Sequence, residues 1–153
     1  MNLNQVASEL NFVGSTILSL KIDNNIVNLT NSINNISMAL NITKIEEKLL
    51  ENKKIELIGY VQLKLNITAK DQEDKAFKCK ISLILEGCFN SLMEDKNKFE
   101  QMLYINGGTT LYSIARSQIL NFSSNMFVNG KILIPLINMV EFMEESEKEK
   151  NPK

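Results

Sequence analysis

The sequence predicts an α+β domain in which a four-stranded antiparallel sheet carries helices on one face. Two patterns support this class. Apolar and polar residues alternate with a period of two in four segments before Gly87, and apolar residues recur every three or four positions after it. Strands that come first and helices that follow are typical of an antiparallel sheet with helices on one side. A chain of 153 residues suits a single domain with one core.

Each alternating segment presents one apolar and one polar face, as expected of a strand with one side on a core and the other in water. The third segment is the most regular, because Val61, Leu63 and Leu65 alternate with Gln62 and Lys64. The same pattern occurs at Leu18, Leu20 and Ile22; at Ile36, Met38, Leu40 and Ile42; and at Phe77, Cys79, Ile81, Leu83 and Leu85.

Two polar stretches join these strands. KDQEDK, residues 70–75, is predicted to be the hairpin loop between the third and fourth strands. NNIVNLTNSINN, residues 24–35, follows the first strand and is here called the connector; its asparagines favour turns. Because Ile26, Val27, Leu29 and Ile33 of the connector are apolar, we expect them to contact another part of the protein.

Three helices are predicted after Gly87. A short one, NKFEQMLYI, should end at Asn106-Gly107-Gly108, and a longer one should begin with Thr109 or Thr110 as N-cap and end at Asn129-Gly130. KILIPLIN is extended, and the last helix starts at Asn138. Residues 1–145 are assigned to the domain and 146–153 to a flexible charged tail.

The longer helix has apolar residues beyond the single stripe that one sheet face can cover. We expect this surplus to contact another copy of the chain, and Ile119→Asp to split that assembly. Arg116, in the middle of the helix, could bind a ligand, a backbone carbonyl or an acidic residue of a neighbouring subunit.

The composition argues against several classes of function. The chain has no histidine, so the usual general base at neutral pH is missing, and no enzymatic activity, cofactor or metal site is expected. A net charge of -1 does not favour nucleic-acid binding. No apolar run is long enough for membrane insertion and no secretory signal is evident, so a cytoplasmic protein is expected.

Cysteine and methionine leave alternatives open. Cys79 is interpreted as a buried, inert thiol, whereas Cys88 lies near a turn where redox reactivity is conceivable; no disulfide is expected between them. Met38 and Met126 are interpreted as core residues. Met139 and Met143, on the last helix, fit a core role and an adaptable binding surface equally well.

Three motifs resemble SecB-type protein-export chaperones. YVQLKLNITAKDQEDKAFKCKISLILEGCF, from Tyr60, is similar to the paired central strands of that family. LYSIARSQI resembles the family's helix motif, which contains Ala115 and Arg116, and KILIPLINMVEFM resembles its stretch leading into the last helix, with Pro135 and Asn138.

The resemblance implies a homotetramer made of two dimers, with sheets joined edge to edge and the long helices between dimers. The interface residues that it predicts on the long helix are Leu111, Ala115, Arg116, Ile119 and Phe122. It also implies a chaperone that binds unfolded or precursor polypeptides in apolar grooves, keeps them competent for export and passes them to the SecA motor. The positions that match the groove region are Ile26, Val27, Leu29, Leu136, Met139, Phe142 and Met143.

The chain departs from the family at three positions. Ser113 replaces a proline of the helix motif, and Leu111 stands where an aromatic residue is common. Lys80 takes the place of an acidic residue that helps dock SecA, which argues against SecA as a partner. The alternative is a dedicated SecB-like chaperone or adaptor for one partner, such as an antitoxin.

Overall fold

Four long antiparallel strands form one sheet in the computed structural model, which describes residues 9–29, 32–72, 74 and 76–150. The strands are β1 (Asn11–Asn24), β2 (Ser32–Leu49), β3 (Ile55–Asp71) and β4 (Lys78–Ser91), in the spatial order β1-β4-β3-β2. The predicted sheet is confirmed. The second half of the predicted connector belongs to β2, and its residues 30 and 31 lie outside the described ranges.

The helix-bearing face of the sheet holds the core. In the central pair, Leu63 stands opposite Leu85 and Leu65 opposite Leu83, and each of these side chains is fully buried. Leu40 of β2 continues the same row beside Leu63. The alternation in β2, β3 and β4 therefore predicted correctly which side chains point inward, except for Phe77, which precedes β4 and is 49% exposed. The opposite face is largely polar, and no helix within the described residues packs on it.

β1 departs from simple alternation because it contains two bulges. The register shifts between Phe12 and Gly14 and again between Ile17 and Ser19, which leaves Val13 and Leu18 without a partner on β4. Leu18 was expected to share a face with Leu20, but the second bulge places Ile17 in that row opposite Leu85. This part of the prediction was wrong because a one-residue insertion is invisible to a period-two pattern.

The glycine pair after the first helix does not break it. α1 (Lys96–Met102) continues through a π-helical turn, Leu103–Gly107, directly into α2 (Gly108–Met126). A Cβ added to Gly108 would lie 2.6 Å from Leu40 Cδ2 and 3.2 Å from the Met139 sulfur. Glycine therefore allows close packing between α2, the sheet and the last helix, and a larger residue would displace the Leu40 side chain; the glycine does not form a turn.

The threonines after these glycines do not cap α2. The hydroxyl of Thr109 donates to the carbonyl of Ile105 at 2.6 Å, and that of Thr110 to Asn106 at 2.8 Å, so both bond back into the preceding turn. A true N-cap occurs at α1, where Asp95 Oδ1 accepts from the amide of Asn97 at 2.9 Å.

α3 (Met139–Lys150) is the last element. Asn138 precedes it as predicted, and its Oδ1 accepts from the amide of Val140 at 3.1 Å. The helix passes residue 146, so the predicted start of the tail falls within α3. No helix in the described part of the chain is long and apolar enough to cross a lipid bilayer.

Candidate functional site

The connector leaves β1 through asparagine side chains that bond the backbone. Asn24 Oδ1 accepts from the amide of Ile26 at 3.0 Å, which turns the chain. Asn25 Oδ1 accepts from the amide of Lys78 at 2.7 Å, and its Nδ2 donates to the carbonyl of Ala76 at 3.3 Å. These bonds fix the start of the connector to the β3–β4 loop.

The connector then pairs with the loop that follows α2. The amide of Val128 donates to the carbonyl of Val27 at 3.0 Å, and the amide of Leu29 donates to the carbonyl of Asn129 at 2.9 Å. Asn129 also donates from Nδ2 to Asn28 Oδ1 at 3.0 Å. The two segments form a short parallel bridge in which Asn28 and Asn129 stand opposite one another.

Gly130 allows this bridge to close. Its φ of 86° lies in the left-handed region, and a Cβ added there would come within 3.4 Å of the Leu29 backbone. The sequence correctly predicted a left-handed glycine, but α2 ends earlier, at Met126, so Gly130 serves the bridge and is not a helix cap.

Residues 131–137, here called the strap, run along α2 and are held by side chains of that helix. Ser123 Oγ accepts from the amide of Ile132 at 3.0 Å, Arg116 Nε donates to the carbonyl of Ile134 at 3.0 Å, and the Tyr112 hydroxyl donates to the carbonyl of Pro135 at 2.7 Å. The contacts occur in reverse sequence order, so the strap is antiparallel to α2. The prediction that Arg116 could bind a backbone carbonyl is confirmed.

This arrangement turns alternate strap residues outward. Ile132 and Ile134 are buried, whereas Leu133 is 62% exposed and Leu136 is 81% exposed. Neighbouring segments also expose apolar side chains, with Val128 at 76%. We call the exposed apolar residues of the connector, loop, strap and first turn of α3 the apolar rim: Val27, Val128, Leu133, Leu136, Ile137 and Val140.

Besides the apolar rim, there is a cavity where α3 meets α1 and β2. Met143 lines a cavity of about 350 Å³ together with Ile42, Tyr104 and Ser146. Phe142 packs against the core and is half-buried. Met139 is buried next to Gly108. Of the two methionines whose role was left open, Met139 is therefore a core residue and Met143 faces an accessible cavity.

The seven predicted client-binding residues fall into two groups. Val27 and Leu136 belong to the apolar rim, and Phe142 and Met143 are half-buried beside it or at the cavity. The structure corrects the expectation for the other three, since Ile26, Leu29 and Met139 are buried in the core. Sequence reasoning missed four residues of the apolar rim: Val128, Leu133, Ile137 and Val140. Alternation in the strap could have indicated Leu133, and the other three lie next to predicted segment ends.

The predicted interface stripe of α2 faces the chain's own sheet. Leu111, Ala115 and Ile119 are fully buried, so they have no surface left for another copy, and their assignment is corrected. Arg116 and Phe122 are half-buried. The outward face of α2 is largely polar, with Leu120 as its exposed large apolar residue among Ser113, Ser117, Asn121 and Ser124.

Exposed apolar residues are concentrated instead on β1, at one edge of the sheet. Its large exposed side chains are Phe12, Val13, Ile17, Leu18 and Ile22. The other edge strand, β2, carries Lys44, Glu46, Glu47 and Lys48, with ion pairs from Lys44 to Glu46 and from Lys96 to Glu47. Charged residues protect an edge against pairing, whereas an apolar edge promotes it.

The two thiols are free and lie on opposite faces of β4. Cys79 is buried on the helix side, as predicted, and burial raises the pKa of its thiol to about 11. Cys88 is half-buried on the other face, opposite Tyr60. Proximity to Cys88 raises the pKa of the Tyr60 hydroxyl.

Comparison with solved structures identifies the arrangement. The SecB-like chaperone Rv1957 of Mycobacterium tuberculosis, in complex with a ChAD peptide from the antitoxin HigA1 (Rv1956), superposes with a TM-score of 0.59. The match covers 84% of this chain and 90% of that chain at 8% sequence identity. The chain has a SecB-like fold. No protein-family model and no curated protein matches the sequence. The structural resemblance expected from the motifs is thus confirmed at the level of the SecB-like fold.

Proposed function

We propose that this chain is a SecB-like chaperone that holds unfolded or precursor polypeptides on its apolar rim. The single observation that carries the proposal is that Leu133 and Leu136 are turned to solvent by a strap whose backbone is bonded to α2. Exposed apolar side chains on a fixed backbone gain on the order of 25 cal/mol per Å² when a client covers them. Such binding requires little sequence specificity and no cofactor.

The proposal includes assembly of several copies in the cytoplasm. A second chain that pairs with β1 would cover its exposed apolar residues and complete its unpaired edge. The outward face of α2, with Leu120 as its exposed large apolar residue, is the surface through which two such dimers would form a tetramer.

A dedicated chaperone or adaptor for one partner is the second candidate. The structurally similar Rv1957 is in complex with a peptide from an antitoxin, which supports one specific polypeptide partner for this chain as well. Lys80, exposed on the sheet, supports the same view, because an acidic residue would be expected there in a SecA-docking chaperone. On this reading the apolar rim binds one partner segment, and SecA is not a partner.

Suppression of client aggregation tests the proposal. We expect the protein at near-stoichiometric ratio to reduce light scattering by a refolding client, and Leu133→Ser/Leu136→Ser to lose most of that effect. Leu49→Ser is the matched control, because Leu49 is 72% exposed but lies at the β2–β3 hairpin, away from the rim. No suppression by the wild-type assembly, or an equal loss in Leu49→Ser, would contradict the proposal.

The two candidates differ in client range. A general chaperone suppresses the aggregation of several unrelated clients. A dedicated one copurifies with a single stoichiometric partner and leaves unrelated unfolded proteins unaffected. In both cases the rim variant should lose binding and the hairpin control should retain it.

A further inference from the structure

The helix-free face of the sheet has an uneven distribution of charge. In the half nearest the β3–β4 loop, lysines project from β1, β3 and β4, and the one carboxylate among the described strand residues there is Asp23, opposite Lys80. We call this half the lysine face: Lys21, Lys64, Lys70, Lys78 and Lys80.

These lysines have no ion-pair partner in the part of the chain that the structure describes. The lysine ion pairs found there involve Lys44, Lys96 and Lys98, all on other surfaces. Asp71 and Asp74 of the nearby loop bond the loop's own backbone: Asp71 Oδ1 accepts from the amide of Asp74 at 3.0 Å, and Asp74 Oδ1 from that of Ala76 at 2.9 Å. The positive charge on the face is therefore left to solvent.

One lysine pair is unfavourable to the sheet itself. Lys70 and Lys78 are directly opposite each other on β3 and β4, and like charges in that position destabilise a sheet. Lys80 follows two residues after Lys78 and projects from the same face. A partner carboxylate placed between these ammonium groups would turn a repulsion into an attraction.

Two of the lysines border a shallow depression in the sheet. It has a volume of about 250 Å³; Lys21, Asn66, Thr68, Lys80 and Ser82 line it together with the carboxylate of Asp23 and three isoleucines, Ile22, Ile67 and Ile81. The Ser82 hydroxyl donates to Asn66 Oδ1 at 2.8 Å, and short uncharged side chains fill the space between the lysines. A partner carboxylate here would meet the ammonium groups of Lys21 and Lys80 as well as the single carboxylate of Asp23, so positive charge is in excess.

We propose that the lysine face docks an acidic segment of a partner polypeptide. Charge complementarity selects an anionic partner, and the chemistry of the face favours carboxylates over a nucleic acid. The chain as a whole has a net charge of -1, which does not favour binding to a nucleic acid. This face lies opposite the helices, so the docking does not depend on client binding at the apolar rim.

Binding of a labelled peptide of about ten glutamates, followed by fluorescence anisotropy, tests the proposal. We expect saturable binding at about 50 mM NaCl that weakens strongly at about 300 mM, because exposed charges are screened by salt. Lys78→Glu/Lys80→Glu should weaken binding about tenfold or more, and Lys78→Gln/Lys80→Gln to an intermediate extent. Lys54→Glu, at the β2–β3 turn, is the control and should bind like the wild type.

Three outcomes would overturn the proposal. They are no binding of the peptide by the wild type, an equal loss in Lys54→Glu, or tighter binding of a single-stranded oligonucleotide of similar length that the same lysine variants abolish. Circular dichroism should show that the variants are folded, which is expected because the substituted side chains project into solvent. The lysine variants should still suppress client aggregation, so failure of this proposal is distinguishable from failure of the proposed chaperone function.

Discussion

Arg116 donates from Nε to the carbonyl oxygen of Ile134 at 3.0 Å, and this bond joins the middle of α2 to the middle of the strap. One helical turn earlier, the Tyr112 hydroxyl bonds Pro135. The strap belongs to no sheet or helix, so these side chains provide the hydrogen bonds that secondary structure would otherwise supply. The position of Leu133 and Leu136 at the surface follows from them.

Removing these bonds should loosen the strap without unfolding the protein. We expect Tyr112→Phe and Arg116→Ala each to cost about 1 kcal/mol locally, which corresponds to roughly fivefold faster amide exchange in residues 131–137. Hydrogen exchange with mass spectrometry measures this. Ser117→Ala, on the outward face of α2, is the control. Exchange in the strap that is unchanged in both variants would show that packing of Ile132 and Ile134 alone holds it.

Neighbouring residues of α2 should respond differently to truncation. Ile119 is fully buried against the sheet, and Ile119→Ala should cost about 2–5 kcal/mol in free energy of unfolding. Leu120 is 38% exposed, so Leu120→Ala should cost less than about 1 kcal/mol. Ile119→Asp is now expected to unfold the chain and not merely to split an assembly. Urea unfolding distinguishes the cases, and equal costs for the two alanine variants would contradict the observed packing.

The bulged residues of β1 provide a test of edge pairing. Val13 and Leu18 are exposed and have no partner on β4, so Val13→Lys/Leu18→Lys should leave the fold intact. We expect this variant to lower the solution mass measured by light scattering, because lysine on an edge strand opposes pairing. Leu49→Lys, on the other edge strand, should keep the wild-type mass. An unaltered mass in the β1 variant would exclude that edge as the interface.

Burial of Cys79 predicts a loss of stability at high pH. Its thiol has a pKa of about 11 in the folded protein against an ordinary value of 9.0, so the unfolded state loses the proton first as the pH rises. Stability is unaffected below about pH 9 and falls between about pH 9 and 11, by up to about 3 kcal/mol in total. The free energy of unfolding, measured with urea, should fall over this pH range in the wild type and not for this reason in Cys79→Ala. The difference in free energy of unfolding between the two proteins should therefore change with pH. A constant difference would contradict the prediction.

The alternating pattern was sufficient to predict the sheet but not the function of each apolar surface. Val61, Leu63 and Leu65 point inward as expected, since a regular strand has only two faces. The α2 stripe containing Leu111 and Ile119 was also recognised, but burial against the chain's own sheet and burial against another copy produce the same helical spacing. Sequence alone could not choose between them.

Other features depended on contacts between distant segments. Gly108 looks like a helix breaker in the sequence, and only the close approach of Leu40 and Met139 gives a packing reason for glycine inside a helix. The burial of Ile26 and Leu29 follows from the bridge to Asn129, a hundred residues away in the chain. Alternation of residues 132–134 could have predicted that Leu133 points outward. The pattern was hard to recognise because the alternation stops at Pro135.

The central claim is that this chain exposes more apolar surface than a single copy can cover, and uses it to bind other copies and unfolded polypeptides. Measurement of the solution mass by light scattering, with and without a chemically unfolded polypeptide, tests both parts together. The account predicts an oligomer whose mass increases when the polypeptide is added, and a smaller increase for Leu133→Ser/Leu136→Ser. A monomer whose mass does not change on addition of the polypeptide would contradict it.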